Sequence, residues 1–560
     1  MKRFARISFL LFASVLVFVL FARTVAFSYI GLDDAAYTFR NPFVAGGLSV
    51  PNVVEAFANL RHGGIWMPVT YVSYMADASF CRITGIPLIG CMHFVNVLLH
   101  VVNFLLLCTL MRMLFAGFAA TDGGCGASTL STVTCQPSIM MAALFWAVHP
   151  LRAEPVAWIA ARKELLWTLF SLWGLICWGR AVALGMRSRC MLWAVLLCLL
   201  ACLSKPTAMC FPLLALLVAR VAKSGVGDYV PRDVRKEEFV CYLAMFLVAG
   251  ATAAIAAYSQ THIAGQDATG LYAASFVHRL VNALSSMGFY LRATVLPAGL
   301  HIDCRAIPSI WPIGVVWDSI AFFAAVIACL LLLFRSRFVH FSSAWFLLSL
   351  LPTLGLFGSF GIEAHADRFA YLPTMALSFL MASMLGFLSA KCRHVFAACI
   401  AMLVVVTFLQ LSYWRDDATA HGRALACDPH HPRAMVHVAD ALCARRHDFD
   451  GGIAMYRKAL TLADTVPRGG FNVGDVQARL AYALASRGLP GDFQEVKRLG
   501  AKVLADFRND RRGMMLDALG TAFMHDGDIK RAALLFKASI DAPDRFWPKA
   551  ATIHKLQQCK

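Results

Sequence analysis

Long apolar runs separated by short polar connections fill the chain as far as residue 412. They lie at 7–22, 92–118, 139–148, 165–184, 191–203, 207–221, 239–258, 313–334, 341–360, 371–388 and 394–411. Crossing about 30 Å of hydrocarbon at 1.5 Å per residue takes about 20 helical residues. The pattern therefore predicts an all-α, polytopic membrane bundle of about eleven spans. The pairs 139–148 with 165–184 and 191–203 with 207–221 are marginal in length. Each pair is broken at a polar turn, 149–164 in the first and Ser204-Lys205-Pro206 in the second. Short spans let such turns sit below the membrane surface, where they line a cavity instead of facing lipid. The run 276–296 carries His278, Arg279, Asn282 and Arg292. It reads as a helix half-sunk in the outer surface.

Charge placement orients the bundle. Lys2, Arg3 and Arg6 precede the first run, and Arg187, Arg189, Lys223, Arg232, Arg235, Lys236, Arg335, Arg337, Lys391 and Arg393 fall in later connections. The positive-inside rule puts these in the cytoplasm and the C-terminus outside. The first run also resembles a signal peptide, with a weak cleavage site at Thr24-Val25-Ala26; an uncleaved span is the expectation here. The segment 29–90 is too polar to span. Its amphipathic pieces 53–60 and 69–78 are expected along the membrane surface, and the Gly/Ser/Thr-rich stretch 121–134 reads as a flexible connection.

Composition agrees with a membrane protein: 59% of the 560 residues are hydrophobic, 15% are charged, and mean hydropathy is +0.64. A net charge of +18 raises nucleic-acid binding as an idea, but no basic stripe interleaved with aromatics is present. Eighteen cysteines contain no CxxC pair and mostly lie inside apolar runs, where a thiol acts as a small hydrophobe. That argues against zinc or iron–sulfur sites. A Cys427–Cys443 disulfide is compatible with an oxidising compartment.

Beyond 412 the composition turns soluble and helical. Residues 447–460, 490–504 and 526–539 repeat one pattern, and 434–467 is one full unit of the 34-residue tetratricopeptide period. About three such units stack into a short solenoid able to hold a peptide or protein partner. The domain division expected is 1–412 for the membrane part and 413–560 for the repeats.

Candidate chemistry gathers at the outer turns. Asp33 and Asp34 follow the first span, and adjacent carboxylates at a membrane edge are either a functional pair or a helix cap. With them come His62, Trp66, His149, Arg152, Glu154, Arg162, Lys163, Glu164, Lys205, Arg292, His365, Asp367 and Arg368. A carboxylate can take a proton from a nucleophilic hydroxyl, and Arg or Lys can hold a departing phosphate. Trp66 and Trp158 can stack on a sugar or anchor at the interface. Each has a plainer alternative: a snorkelling Lys205, a turn-forming His149, a local Asp367–Arg368 ion pair, or structural partners for Arg162 and Lys163 in Glu154 or Glu164.

The stretches 31–49 (GLDDAAYTFRNPFVAGGLS), 62–77 (HGGIWMPVTYVSYMAD), 93–103 (HFVNVLLHVVN), 149–166 (HPLRAEPVAWIAARKELL), 203–207 (LSKPT), 365–373 (HADRFAYLP) and 413–417 (YWRDD), followed by the repeats, keep one order. That ordered set resembles the transmembrane and tetratricopeptide-repeat O-mannosyltransferases and their bacterial relatives. The resemblance implies a GT-C membrane fold and a polyprenyl-phosphate-linked sugar as donor. It also implies catalysis by the acidic pair, here Asp33 and Asp34, and cationic turn motifs at Arg162, Lys163, Lys205 and Arg368. The short repeat array differs from the family's, and points to a bacterial inner membrane with a periplasmic C-terminus, or else to the endoplasmic reticulum with a lumenal one. On this reading the enzyme moves a sugar with inversion to a hydroxyl, such as Ser or Thr of a protein. It carries no certain cofactor or metal ligand, though a divalent ion is compatible. A catalytically silent membrane-anchored scaffold and a transporter are the alternatives; a transporter would place its charges mid-span.

Overall fold

The computed structural model describes residues 2–60, 65–121, 136–184, 189–223, 232–263, 275–302, 313–333, 336–356, 365–386, 388–463, 471–505, 511–542 and 549–559. Helix is the only regular structure among them, with no strand. Among the described residues, six helices are long and apolar enough to cross a membrane, at Ile7–Ala26, Leu88–Ala119, Ile159–Ala183, Pro206–Lys223, Lys236–Ser259 and Ala390–Ser412. Four shorter apolar helices, Pro137–Ala147, Arg189–Ser204, Ser319–Leu331 and Met375–Leu385, join them. Together with the helix Arg337–Leu350 they fall on the apolar runs of the sequence. The chain is an all-α polytopic membrane protein.

The chain divides into two compact units, Met1–Asp416 and Asp417–Lys560. In the first, the helix Leu88–Thr121 is the hub, touching the helices Lys2–Ala22, Pro68–Thr84, Gln136–Ala147, Arg162–Leu184 and Phe211–Lys223. One of its faces carries His93, Asn96, His100 and Asn103, all buried. Their heptad-like spacing makes a polar seam through an otherwise apolar helix. The helix Pro68–Thr84 departs from the interfacial expectation. Its Tyr71, Tyr74, Met75, Asp77 and Cys81 are buried, because it packs into the bundle against Leu88–Thr121 and Arg189–Ser204. The stretch 121–134 lies, past its first residue, outside the described residues.

The second unit is a run of helical hairpins: Pro432–Arg446 with Phe449–Thr461, Val473–Arg487 with Pro490–Ala505, and Arg512–His525 with Ile529–Asp541. The three repeated sequence pieces are each the second helix of a hairpin. A shared core of Ala439, Ile453, Tyr456, Leu480, Leu484, Phe493, Met515 and Leu519 runs through them. Arg479 ties successive hairpins by pairing with both Asp440 and Asp475, and Asp475 also meets Arg511 at 2.6 Å. Cys427 and Cys443 are free thiols rather than a disulfide.

Close helix approach in the membrane unit is concentrated where side chains are absent. At Gly288, in the helix Phe276–Val295, a Cβ would collide with the Ser319 carbonyl oxygen of the next helix, which is backbone and cannot swing aside. Gly250 has open space around the same position. Gly288→Ala is expected to cost about 1–3 kcal/mol, as overpacked sites do. It should lower the melting temperature in detergent by several degrees, while Gly250→Ala should leave it unchanged or slightly raised. Equal melting of the two variants would contradict this packing.

Candidate catalytic and anion-binding site

Three broken turns, 149–161, 204–210 and 365–374, meet the loop after the first helix. Proline shapes the first two: Pro150 and Pro206 open 3₁₀ turns at the position where a missing N–H costs least. Pro155 sits in the five-residue helix Ala153–Ala157. Irregular backbone of this kind needs partners for its exposed carbonyls. Tyr74 Oη donates to Ile159 O at 2.7 Å, Thr70 Oγ1 to Ser204 O at 2.9 Å, and Trp146 Nε1 to Tyr371 O at 2.9 Å. Asn96 Nδ2 reaches Trp158 O at 3.3 Å, and Asn103 Nδ2 reaches Leu165 O at 3.0 Å. His100 bridges Tyr371 Oη and Ala147 O at 2.7 and 2.9 Å.

The acidic pair splits into two different environments. Asp34 is sealed at 0% exposure and accepts from the N–H groups of Ile30 and Ala160, each at 2.7 Å. It therefore fastens the first loop to the turn at 158–161. Burial pushes its carboxyl up to about 7, with the two N–H bonds pulling the other way. Asp33 is the N-terminal flank of the short helix Asp34–Tyr37 but makes no side-chain cap. Its side chain is 41% exposed and lies 3.9 Å from Lys163 Nζ, too far for a direct hydrogen bond. Lys163 Nζ also stands over the Tyr37 ring, 4.7 Å from its centroid.

Three other cations carry carboxylate partners. Arg162 is fully buried, pairs with Asp77, and donates to Asn96 Oδ1 at 2.8 Å and Met92 O at 2.7 Å. The partner expected from sequence, Glu154 or Glu164, is thus replaced by Asp77. Lys205 pairs with Glu164, which also accepts from Trp167 Nε1 at 2.8 Å. Burial lowers the Lys205 ammonium to about 8 against the pull of Glu164. Arg368 pairs with Glu154, not with its neighbour Asp367, and its N–H donates to the same carboxylate at 3.1 Å. Arg368 and Lys163 flank the Trp158 ring at 5.0 and 5.9 Å from its centroid. Lys205 and Arg368 share the Phe369 ring at 4.8 and 4.9 Å. Lys163, Lys205 and Arg368 are therefore neighbours, with Asp33 at one end.

Asp367 is buried, and neither of its carboxylate oxygens has a hydrogen-bond partner among the described residues. Burial first, and Glu154 next, raise its carboxyl well above the ordinary range, despite Arg152 and Arg368.

The remaining sequence candidates spread out. His149 accepts from Leu151 N–H at 3.2 Å and bonds Thr294 O at 3.0 Å, the arrangement of a turn residue. Arg152 donates to Tyr371 O at 2.8 Å and Thr374 Oγ1 at 2.7 Å. His365 stacks on Phe289, with centroids 3.9 Å apart, and Arg292 is exposed at the last turn of its helix beside the same ring. Trp66 donates to Phe57 O at 3.1 Å within the first loop, and Trp158 is buried between cations instead of lying at an interface. His62 lies outside the described residues. Asp77, Tyr74, Asn96 and His100 were not among the sequence candidates. The signal for the last two was present as the polar seam of the hub helix.

No family model matches the chain. The sequence is similar to a protein O-mannosyl-transferase of Caenorhabditis elegans, at 23% identity over 305 residues, which is 53% of this chain and 41% of that protein. The chain thus spans about two fifths of the length of the curated relative it matches.

Proposed function

We propose that the chain is a membrane glycosyltransferase, with Asp33 as general base and the Lys163–Lys205–Arg368 cluster as the cradle of a polyprenyl-phosphate sugar donor. The distant similarity to an O-mannosyltransferase supports a membrane glycosyltransferase in general terms. The observation that carries the finer reading is the asymmetry of the acidic pair. Asp34 is consumed by two backbone N–H groups, whereas Asp33 is half-open beside the cations.

An acceptor hydroxyl would give its proton to Asp33 as its oxygen attacks the anomeric carbon. The bond from that carbon to the phosphate oxygen breaks, and the phosphate departs with the electron pair. Attack opposite the leaving group inverts the centre. Lys163, which stands beside the half-open Asp33, would meet the phosphate first, with Lys205 and Arg368 behind it. Asp367, whose two oxygens have no hydrogen-bond partner among the described residues, would bond a sugar hydroxyl. Arg162, Arg152 and His149 are assigned to holding the turns. Mannose is the sugar that the similarity favours, and Ser or Thr of a protein is the acceptor class. The hairpins of the second unit, read as tetratricopeptide repeats, would hold that acceptor. A bacterial inner membrane with both the site and the C-terminus in the periplasm is the setting proposed. The direct assay is release of lipid phosphate from a panel of polyprenyl-phosphate sugars by the purified protein; no release from any of them would remove the donor assignment.

Two pairs of variants separate the roles. Asp33→Asn should cut turnover by about 10²–10⁴-fold with unchanged melting. Asp34→Asn turns an amide NH₂ toward one of the two N–H donors, so it should cost about 1–3 kcal/mol of stability before any catalytic effect. Wild-type transfer by folded Asp33→Asn would end the base assignment.

Lys163→Ala should weaken donor binding with the fold intact. Arg162→Ala should instead strand Asp77 in the interior, where breaking a buried pair costs about 3–5 kcal/mol, and reduce the yield of folded protein. Donor affinity unchanged in Lys163→Ala would remove this residue from the cradle.

A further inference from the structure

Trp158 lies between two cations of the cluster, and its backbone is fully engaged. Its N–H donates to Glu154 O at 3.0 Å, and its carbonyl oxygen accepts from Ala161 N–H at 3.1 Å and Asn96 Nδ2 at 3.3 Å. The residue closes the helix Ala153–Ala157 and opens the 3₁₀ turn Ile159–Ala161 with extended dihedrals, φ −84° and ψ 119°. Its ring is buried and packs near Trp414, with centroids 6.3 Å apart. Backbone and ring are both held.

One group of this residue has no use in the fold. The Nε1–H is buried and has no hydrogen-bond partner among the described residues. Other buried indoles of the same unit are satisfied. Trp146 and Trp345 donate to the carbonyl oxygens of Tyr371 and Leu372, Trp167 donates to Glu164, and Trp178 donates to Tyr242 Oη. A buried indole N–H ordinarily finds an acceptor, because an unmade bond leaves its desolvation uncompensated. This nitrogen can only donate, so the missing partner is an acceptor. The surroundings select its charge. Arg368 Cζ and Lys163 Nζ lie 5.0 and 5.9 Å from the ring centroid, and both favour an oxygen that carries negative charge. Glu154 does not fill the role, since its two carboxylate oxygens meet the Arg368 guanidinium and N–H.

We propose that Trp158 is a donor-binding residue whose indole N–H hydrogen-bonds a phosphate oxygen of the lipid-linked sugar, as the neutral member of the cradle beside Lys163 and Arg368. This role rests on the donor reading above and adds a positional element to it. A flexible ammonium follows the phosphate as a point charge, whereas an N–H on a ring locked by packing fixes where the phosphate oxygen sits. The bond is present before and after the sugar leaves, so it acts on affinity more than on the chemical step.

The test compares binding of polyprenyl phosphate and of uncharged polyprenol of equal length to the full chain in detergent. Trp158→Phe keeps an aromatic face and removes the N–H. It should weaken polyprenyl phosphate by about 10–100-fold, the range for a lost hydrogen bond to a charged group, and leave polyprenol unchanged. In turnover the loss should appear in KM rather than in kcat. A second measurement needs no variant: of the twelve tryptophans, one isotope-labelled indole N–H signal should lie upfield in the free protein, as an unbonded N–H does. Polyprenyl phosphate should move it downfield, polyprenol should not, and inorganic phosphate should do so only at far higher concentration. Equal affinity of folded Trp158→Phe and wild type for polyprenyl phosphate, an equal loss for polyprenol, or no indole signal that moves would overturn this role and leave the donor reading standing. An absence of phosphate-dependent binding by the wild type would overturn both.

Discussion

Peptide carbonyls at a broken helix have lost their intrahelical donors, and inside a membrane bundle no bulk water replaces them. The arrangement of the first unit follows from meeting that demand. Thr70, Tyr74, Asn96, Trp146 and Arg152 each aim a donor at a carbonyl of a turn far away in sequence, and Trp345 and Thr407 do the same for Leu372 and Val148. Unpaired groups of this kind cost about 1–3 kcal/mol each in a protein interior. The turns are thus bound tightly to helices, and loops of marginal local stability acquire the rigidity of the bundle.

That rigidity decides what the ionisable groups can do. Arg162, Lys205 and Arg368 are each matched to a carboxylate, so burial does not leave bare charge. Around Trp158 and Phe369 the matched cations still converge, and a preorganised field of this sort acts without reorganising during a reaction. Asp33 stands apart because its loop leaves its side chain partly in solvent, one residue from a carboxylate that the fold has consumed.

Much of the fold was legible because burial in lipid writes itself as long apolar runs. The helix boundaries of the first unit fall on those runs, and the repeated pieces of the second fall on the second helices of its hairpins. Partner choice was less legible. Glu154 and Glu164 sit near Arg162 in sequence, yet Asp77 pairs with it, since helix direction rather than proximity sets where a guanidinium reaches. Asp367 and Arg368 are adjacent and do not pair, for Arg368 reaches Glu154 while the Asp367 oxygens have no hydrogen-bond partner among the described residues. Asp34 was readable as important but not as a fastening, because its two donors, at Ile30 and Ala160, exist only once the turn has folded.

The buried charge pairs also constrain how this sequence can drift. Their members stand 85, 41 and 214 positions apart, at Arg162 with Asp77, Lys205 with Glu164, and Arg368 with Glu154. Changing either member alone passes through a protein with an uncompensated interior charge, a step of about 3–5 kcal/mol, comparable to much of a typical fold's margin. Relatives should therefore hold each pair intact or exchange both members together. Three correlated columns, remote in sequence and free of any shared motif, would then mark the fold in families too divergent for residue identity to reveal it.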